Sequence, residues 1–228
     1  MNFRDNWLRI LSQIQQVANR VGRSPQEITI VAISKTRPIE EIQEAYAAGQ
    51  YIFGENKPQE LSAKQTLLPQ ATWHLVGHLQ TNKVKYIAPF VQLIHSLDSV
   101  KLAIEINRQA QKNNRIIPCL LQINISQETT KGGFAAEELS VFWEQQANFP
   151  NIRIDGLMGM AEETDDKKLI HKQFQSLYQL REKILSEHKS SLGNLPILSM
   201  GMSNDFEIAI EEGATHIRLG SALFGSRS

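Results

Sequence analysis

Eight short strand-like runs, each separated from the next by a helical pattern, are the feature that most restricts the fold of this chain. The run at residues 28–33 is apolar or β-branched throughout, too short for a typical helix and without polar alternation. Such a run is typical of a strand buried on both faces of a parallel sheet. The other runs lie at 51–53, 72–76, 91–96, 116–123 (interrupted by Pro118), 152–158, 196–200 and 216–219.

Strands that alternate with helices in this way predict right-handed βαβ units and a parallel sheet. Eight units fit a closed (β/α)8 TIM-type barrel better than an open doubly wound sheet, because no Gly-rich dinucleotide-binding motif follows the first strand. An apolar stripe that ends at Gly22 predicts an additional N-terminal helix within residues 1–22, packed on the barrel. No linker-like segment divides the sequence, so we predict a single domain over residues 1–228.

Charge and composition argue against several classes of protein. The 24 Lys and Arg residues balance 24 Asp and Glu residues, whereas nucleic-acid-binding proteins usually carry a basic excess, so we expect no nucleic-acid partner. No apolar stretch is long enough to span a membrane, and the N-terminal residues do not resemble a signal peptide. Cys119 is the single cysteine, which excludes an internal disulfide, and we therefore expect a cytoplasmic protein.

Lys35 is the first candidate for chemistry. In a barrel, ligand-binding residues follow the carboxyl ends of the strands, and Lys35 follows the most apolar of them. Desolvation at the barrel mouth favours the neutral form of an amine, which can form a Schiff base with a carbonyl compound. Considered alone, Lys35 is explained somewhat better as a surface lysine at the end of a strand than as a reactive amine.

The last two strand ends predict a phosphate site. Ser203 and Asn204 follow the seventh strand and lead into a helix, and Gly220 and Ser221 follow the eighth. Phosphate sites in barrels are commonly built from these two loops, whose N–H and hydroxyl groups donate hydrogen bonds. Each motif alone is more typical of a helix N-cap, but together they favour a phosphate site. Arg218 would keep a nearby pyridine nitrogen unprotonated, although a strand-end ion pair explains this residue equally well.

A lysine that can form an imine opposite a phosphate site is consistent with two ligands. One is a sugar phosphate bound by a Schiff-base aldolase, and the other is pyridoxal 5′-phosphate (PLP). A metal ligand set is not expected, because the four-residue spacing of His74 and His78 places them about 13 Å apart on a strand.

Five motifs, in order along essentially the whole chain, resemble one family. They are VAISKT at 31–36, FGEN at 53–56 with Gln59 and Glu60, WHLVGHLQ at 73–80 with Asn82 and Lys83, SMGMS at 199–203 with Asp205, and RLG at 218–220 with Phe224 and Gly225. The sequence resembles the PLP homeostasis protein family, which is similar to the barrel domain of bacterial alanine racemases. The resemblance implies the same barrel, with PLP as its cofactor.

The resemblance also implies roles for individual residues. Lys35 matches the lysine that holds PLP as a Schiff base, and Arg218 matches the arginine that faces the pyridine nitrogen. The positions that match phosphate-contacting residues are Ser203, Gly220 and Ser221. The positions that match residues lining the pocket are Asn56 and His78.

The function implied by the resemblance is storage or delivery of PLP inside the cell, without dedicated catalytic turnover and with PLP-dependent apoenzymes as partners. The alternative is a PLP-dependent amino-acid racemase of the same fold. A two-base racemase needs a second acid–base group, typically a tyrosine from another domain or subunit. The tyrosines of this chain fall in predicted helices or at a strand start: Tyr46, Tyr51, Tyr86 and Tyr178. Because we predict no appended domain, we expect a monomer.

Overall fold

The computed structural model describes residues 2–126, 132–187 and 195–225. Within these ranges, eight parallel strands close into a barrel in which neighbours in sequence are also neighbours in the sheet. The strands are β1 Thr29–Ile33, β2 Ile52–Glu55, β3 Thr72–Leu75, β4 Leu93–Leu97, β5 Ile117–Ile123, β6 Ile152–Gly159, β7 Ile197–Ser199 and β8 His216–Leu219. The predicted (β/α)8 barrel is therefore confirmed.

Helices follow or precede every strand on the outside of the barrel. The α-helices of the described residues are α1 Phe3–Arg20, α2 Ile39–Ala47, α3 Pro58–Leu67, α4 Val100–Lys112, α5 Ala136–Gln145, α6 Lys167–Glu187, α7 Phe206–Glu211 and α8 Ser221–Phe224. Short 3-10 helices span Pro25–Glu27, Thr81–Tyr86 and Gln146–Asn148. No helix in the described part of the chain is both long enough and apolar enough to cross a membrane.

The helices differ from the sequence prediction where local chemistry overrides the periodicity. The pattern at 80–88 predicts a helix, and Thr81–Tyr86 forms a 3-10 helix rather than an α-helix, with i to i−3 bonds such as Ile87 N–H to the Val84 carbonyl at 3.1 Å. Pro89 disfavours helical backbone at the residue before it, which limits this segment. Helix α3 begins at Pro58 rather than at 56, because proline is favoured in the first helical position.

Side chains alternate between the inside and the outside of the barrel along each strand. Outward residues such as Phe53, Trp73 and Ile94 join the large apolar core that packs against the helices. Inward residues form a separate small apolar cluster of Leu93, Leu120 and Met158, with Ile197 against it. Polar residues at further inward positions of β3, β4, β7 and β8 are also buried, among them His74, His95, Ser199 and Arg218.

Helix α1 packs against α7 and α8. The Asn6 side-chain amide donates to the Leu223 carbonyl at 3.0 Å, and the Phe3 and Phe224 rings lie 5.1 Å apart. Arg20 forms an ion pair with Glu211 at the other end of α1. The N-terminal helix is therefore attached to the two helices that follow β7 and β8.

Gly156 provides a test of the pairing between β6 and β7. Gly156 pairs with Ile197 of β7, and a Cβ atom added to Gly156 would lie 1.9 Å from the Ile197 carbonyl oxygen. We therefore expect Gly156→Ala to lower the free energy of unfolding by at least about 2 kcal/mol, measured by urea denaturation. Gly132→Ala is the control, since its added Cβ would meet only atoms at 3.9 Å. Equal losses in the two variants would contradict this account.

Candidate functional site

A cavity of about 1300 Å³ opens at the carboxyl ends of the strands. Every residue that the sequence analysis selected for the site lines this one cavity: Lys35, Asn56, His78, Ser203, Asn204, Arg218, Gly220 and Ser221. Further lining residues that the sequence analysis did not select include Arg37, Gln122, Met160, Lys167 and Asp205. The eight selected residues come from the ends of five different strands, and the closed sheet brings them together.

Lys35 enters the cavity because of the alternation along β1. Ile33 faces inward and lines the cavity, and Ser34 is completely buried on the other side of the strand. The next inward position is Lys35, which is half-buried and lines the cavity. The amine is thus presented at the inner rim of the barrel, as the sequence predicted.

Arg218 lies on β8, and its guanidinium is held on two sides. Nη1 donates to the Ser199 hydroxyl at 2.7 Å, and Nη2 donates to the Gly159 carbonyl at 3.0 Å. Burial lowers the pKa of Arg218 to about 10, while the charge of Asp205 acts in the opposite direction. The guanidinium therefore stays positively charged at neutral pH, with its orientation set by two neutral oxygens.

A chain of neutral side chains continues from Arg218 through the barrel interior. The Ser199 hydroxyl lies 2.8 Å from His95 Nδ1, and His95 Nε2 lies 3.0 Å from His74 Nδ1. Burial lowers the pKa of His74 to about 3 and that of His95 well below its ordinary value, so both rings are neutral at pH 7. If each group donates to the next, away from the Arg218 cation, each of the hydrogen bonds between Arg218 and His74 has one donor and one acceptor.

The two loops of the predicted phosphate site are bonded to each other. The Ser203 hydroxyl accepts a hydrogen bond from the Ala222 backbone N–H at 3.2 Å, which joins the β7 loop to α8. Gly201 has a φ of +91°, and an added Cβ would lie 2.5 Å from the Ala209 Cβ, so this sharp turn requires glycine. Helix α7 starts at Phe206 rather than at 204, because residues 202–205 form a turn in which Asp205 accepts from the Met202 N–H.

Asn56 and His78 lie on neighbouring loops at the edge of the cavity. A Cβ at Gly77 would lie 2.5 Å from the Asn56 carbonyl oxygen, so glycine allows these loops to touch. His78 is exposed, and its Nδ1 lies 3.0 Å from Asp98 Oδ2. His74 is buried and points into the barrel interior, so the two histidines are not arranged as metal ligands. Among the described residues, no group of three His, Cys, Asp or Glu side chains could hold a metal ion.

None of the described residues that line the cavity is a tyrosine. Tyr46 and Tyr178 lie in α2 and α6, Tyr86 lies in a 3-10 helix, and Tyr51 precedes β2. These positions agree with the prediction that the tyrosines lie away from the carboxyl ends of the strands. The described lining of the cavity thus includes lysine, arginine and hydroxyl side chains, but no phenol.

Residues 8–228 match the family described as "Alanine racemase, N-terminal domain", the class that the barrel and its cavity define. The chain is 42% identical to the pyridoxal phosphate homeostasis protein of Aquifex aeolicus, covering 100% of this chain and 99% of that protein. It is 40% identical to the protein of the same name from Pseudomonas aeruginosa, over 98% and 95% of the two chains. The chain belongs to the pyridoxal phosphate homeostasis protein family, as its motifs predicted.

Solved structures agree with this assignment. PipY from Synechococcus elongatus, described as having PLP bound, matches with a TM-score of 0.82 and 35% identity, over 93% of this chain and 100% of that chain. Alanine racemase from Streptomyces coelicolor matches with a TM-score of 0.73 and 15% identity, over 99% of this chain and 58% of that one. The second match shows the shared barrel fold alone.

His74 gives a test of the buried histidine chain. A histidine whose pKa is depressed by folding stabilises the protein when neutral, and that stability is lost as pH falls below about 6.5, the unfolded value. Between pH 7 and pH 5 this loss is about 2 kcal/mol for His74 alone. We expect His74→Gln to lose about 2 kcal/mol less than the wild type over this interval, measured by urea denaturation at both pH values.

The control for this experiment is Trp73→Phe, a change in the outward neighbour of His74 that removes core volume but no titratable group. Its pH dependence should run parallel to that of the wild type, although its stability is lower. If His74→Gln also runs parallel to the wild type, His74 does not stay neutral in the folded protein.

Proposed function

We propose that this protein holds PLP as a Schiff base on Lys35 and acts in intracellular PLP homeostasis, by storing the cofactor and delivering it. The observation that carries the proposal is that Lys35, Arg218 and the two bonded loops at Ser203 and Ser221 line the same cavity. The names of the relatives and the PipY structure described with PLP bound support it.

The residues present fit the chemistry of PLP. When bound, PLP supplies an aldehyde that condenses with a lysine amine, forming a carbon–nitrogen double bond and releasing water. Lys35 is the lysine that would take this role, since it ends β1 at the inner rim of the cavity. Ser203, Gly220 and Ser221 would take the phosphate through hydroxyl and backbone N–H groups, and Asn204 lies beside them.

Arg218 would face the pyridine nitrogen, and its fixed positive charge opposes protonation of that nitrogen. An unprotonated ring withdraws electrons weakly, which reduces its ability to stabilise a carbanion. Asn56 and His78 would line the open edge of the site. The Ser199 hydroxyl and the Gly159 carbonyl hold the guanidinium in its orientation.

Storage and delivery fit this site better than turnover. A racemase needs acid–base groups on both faces of the substrate carbon, and the described cavity contains no tyrosine that could supply the second. A cavity of about 1300 Å³ that opens to solvent also leaves room for exchange of the ligand. We therefore propose that the chain works as a single domain over residues 1–228, monomeric and cytoplasmic, with PLP-dependent apoenzymes as recipients rather than a reaction of its own.

Attachment to Lys35 is tested by absorption spectroscopy before and after borohydride reduction. We expect Lys35→Ala to lose the visible absorption band and the reduced adduct completely, because among the described residues no other lysine that follows a strand end lines the cavity. Lys167→Ala is the matched control, since Lys167 lines the same cavity and should not affect the band. A peptide map that places the adduct on Lys167, Lys83 or Lys131 would disprove the assignment.

The absence of turnover is tested by deuterium exchange at the α-carbon of a panel of amino acids that includes alanine. We expect the PLP-loaded protein to exchange no faster than free PLP, while it transfers PLP to an apoenzyme whose activity is then measured. Lys35→Ala serves as the control for both assays. Saturable exchange that depends on Lys35 and clearly exceeds the rate with free PLP would favour the racemase instead.

A further inference from the structure

A buried ion cluster lies directly behind Lys35, between β1, β2 and α3. Its centre is Lys64, whose Nζ donates to the Ser34 carbonyl, to Glu55 Oε1 and to Glu60 Oε1, each at 2.7 Å. The Ser34 hydroxyl also donates to Glu55 Oε1 at 2.7 Å. Ser34 and Glu55 are completely buried, and Lys64 is 7% exposed. All three protons of the Lys64 ammonium are thus directed at oxygen atoms.

The cluster holds the backbone of both residues that flank Lys35. On one side, the Ser34 carbonyl accepts from Lys64. On the other side, the Thr36 N–H donates to Glu60 Oε1 at 2.6 Å. Thr36 has a φ of +63°, a left-handed conformation that is unfavourable for a β-branched residue and persists only where its surroundings enforce it. The hydrogen bond to Glu60 is one of the contacts that enforce it.

The cluster and the cavity lie on opposite sides of β1. Ser34 and Glu55 occupy outward positions, where they meet Lys64 of α3, whereas Lys35 occupies the next inward position and lines the cavity. Among the described residues that line the cavity, none is Ser34, Glu55, Glu60 or Lys64. The cluster thus lies outside the described cavity lining, and its hydrogen bonds reach Lys35 through the backbone of Ser34 and Thr36.

Burying charged groups at this position costs free energy, because they lose their contacts with water. Burial raises the pKa of Glu55 despite its hydrogen bonds to Lys64 and Ser34, so its charged form is held unfavourably. Glu55 Oε2 has no hydrogen-bond partner within the described structure, a further penalty for a buried oxygen. Apolar side chains of similar volume often stabilise a fold at least as well as a buried ion pair. Packing alone therefore does not explain why these groups lie at this place.

We propose that Lys64, Glu55 and Glu60 are positioning residues for Lys35, which fix the backbone on both sides of it so that the amine points into the cavity. The inference rests on the proposed attachment of PLP to Lys35. It also explains why Lys64, a second buried amine close to the site, does not compete for the ligand. Its nitrogen donates to three oxygen acceptors and does not line the described cavity.

The test separates covalent attachment from non-covalent binding. Attachment is followed by stopped-flow absorbance after PLP is added to the ligand-free protein. Non-covalent binding is measured with pyridoxine 5′-phosphate, an alcohol that has the same ring and phosphate but cannot form a Schiff base. We expect Glu60→Ala to slow attachment at least about tenfold, while the Kd for pyridoxine 5′-phosphate changes by less than about twofold, since misplacement by about 1 Å has large effects on rate.

Glu60→Gln is the conservative partner of this variant. Its amide oxygen can still accept from the Thr36 N–H, so we expect attachment within about threefold of the wild-type rate. Lys64→Met removes the centre of the cluster and should slow attachment at least as much as Glu60→Ala. Lys183→Met is the matched control, because Lys183 forms an exposed pair with Glu187 at 3.9 Å on α6, and it should leave both readouts unchanged.

A readout on the ligand-free protein completes the experiment. In Glu60→Ala, amide hydrogen exchange at Thr36 should become faster, because its N–H loses the carboxylate acceptor. The proposal is overturned if attachment in Glu60→Ala proceeds at the wild-type rate, or if attachment and pyridoxine 5′-phosphate binding weaken together in both Glu60 variants. If Lys64→Met does not fold, the comparison of Glu60→Ala with Glu60→Gln decides whether the proposal holds. An adduct mapped away from Lys35 in the wild type would instead refute the proposed function.

Discussion

Closure of the sheet by the pairing of β1 with β8 is the constraint on which the rest of the site depends. Val31 pairs with Arg218 and Ala32 pairs with Leu219, so two segments at opposite ends of the chain run side by side. In an open sheet with the same strand order, β1 and β8 would lie at opposite edges, and Lys35 would be far from Arg218. The register matters as much as the pairing, because a slip of one residue would turn inward side chains outward along the whole strand. The cavity therefore follows from closure in this register.

The strands and the barrel could be predicted from the sequence because eight short strand-like segments alternate with helical patterns, which leaves few topologies. The candidate site could be predicted where its residues directly follow a strand, as Lys35 and Ser221 do. The polar chain from Arg218 to His74 was missed, because it joins inward positions on three further strands whose relative register no local pattern reveals. Lys64 was missed for a different reason: within a helical pattern it is indistinguishable from a surface lysine, and only the packing of α3 on β2 buries it.

Two groups of buried polar side chains lie next to the cavity, one behind Arg218 and one behind Lys35, and their charges are arranged differently. Behind Arg218, the guanidinium donates to the Ser199 hydroxyl, and two neutral histidines continue the hydrogen-bonded chain from that serine. Behind Lys35, a lysine is surrounded by two carboxyl groups, and their charges compensate each other across β1, β2 and α3. The first arrangement holds a charge that faces the cavity, whereas the second lies outside the described cavity lining and bonds the backbone on both sides of Lys35. Both arrangements make the side chains at the mouth of the barrel rigid without occupying space there.

Helix α1 lies outside the barrel, but its side chains bond the short helix α8 beside the cavity. Its Asn6 and Arg9 donate to carbonyl oxygens of Leu223 and Ala222, the last turn of the short helix that begins with Ser221. Because α8 has only four residues, the carbonyl groups of its last turn have no N–H partner within the helix. Side chains of α1 donate hydrogen bonds to two of these carbonyl groups. In a mutational scan scored by ligand affinity, sensitive positions would accordingly extend into the first turns of α1. A map drawn from distance to the cavity alone would overlook them.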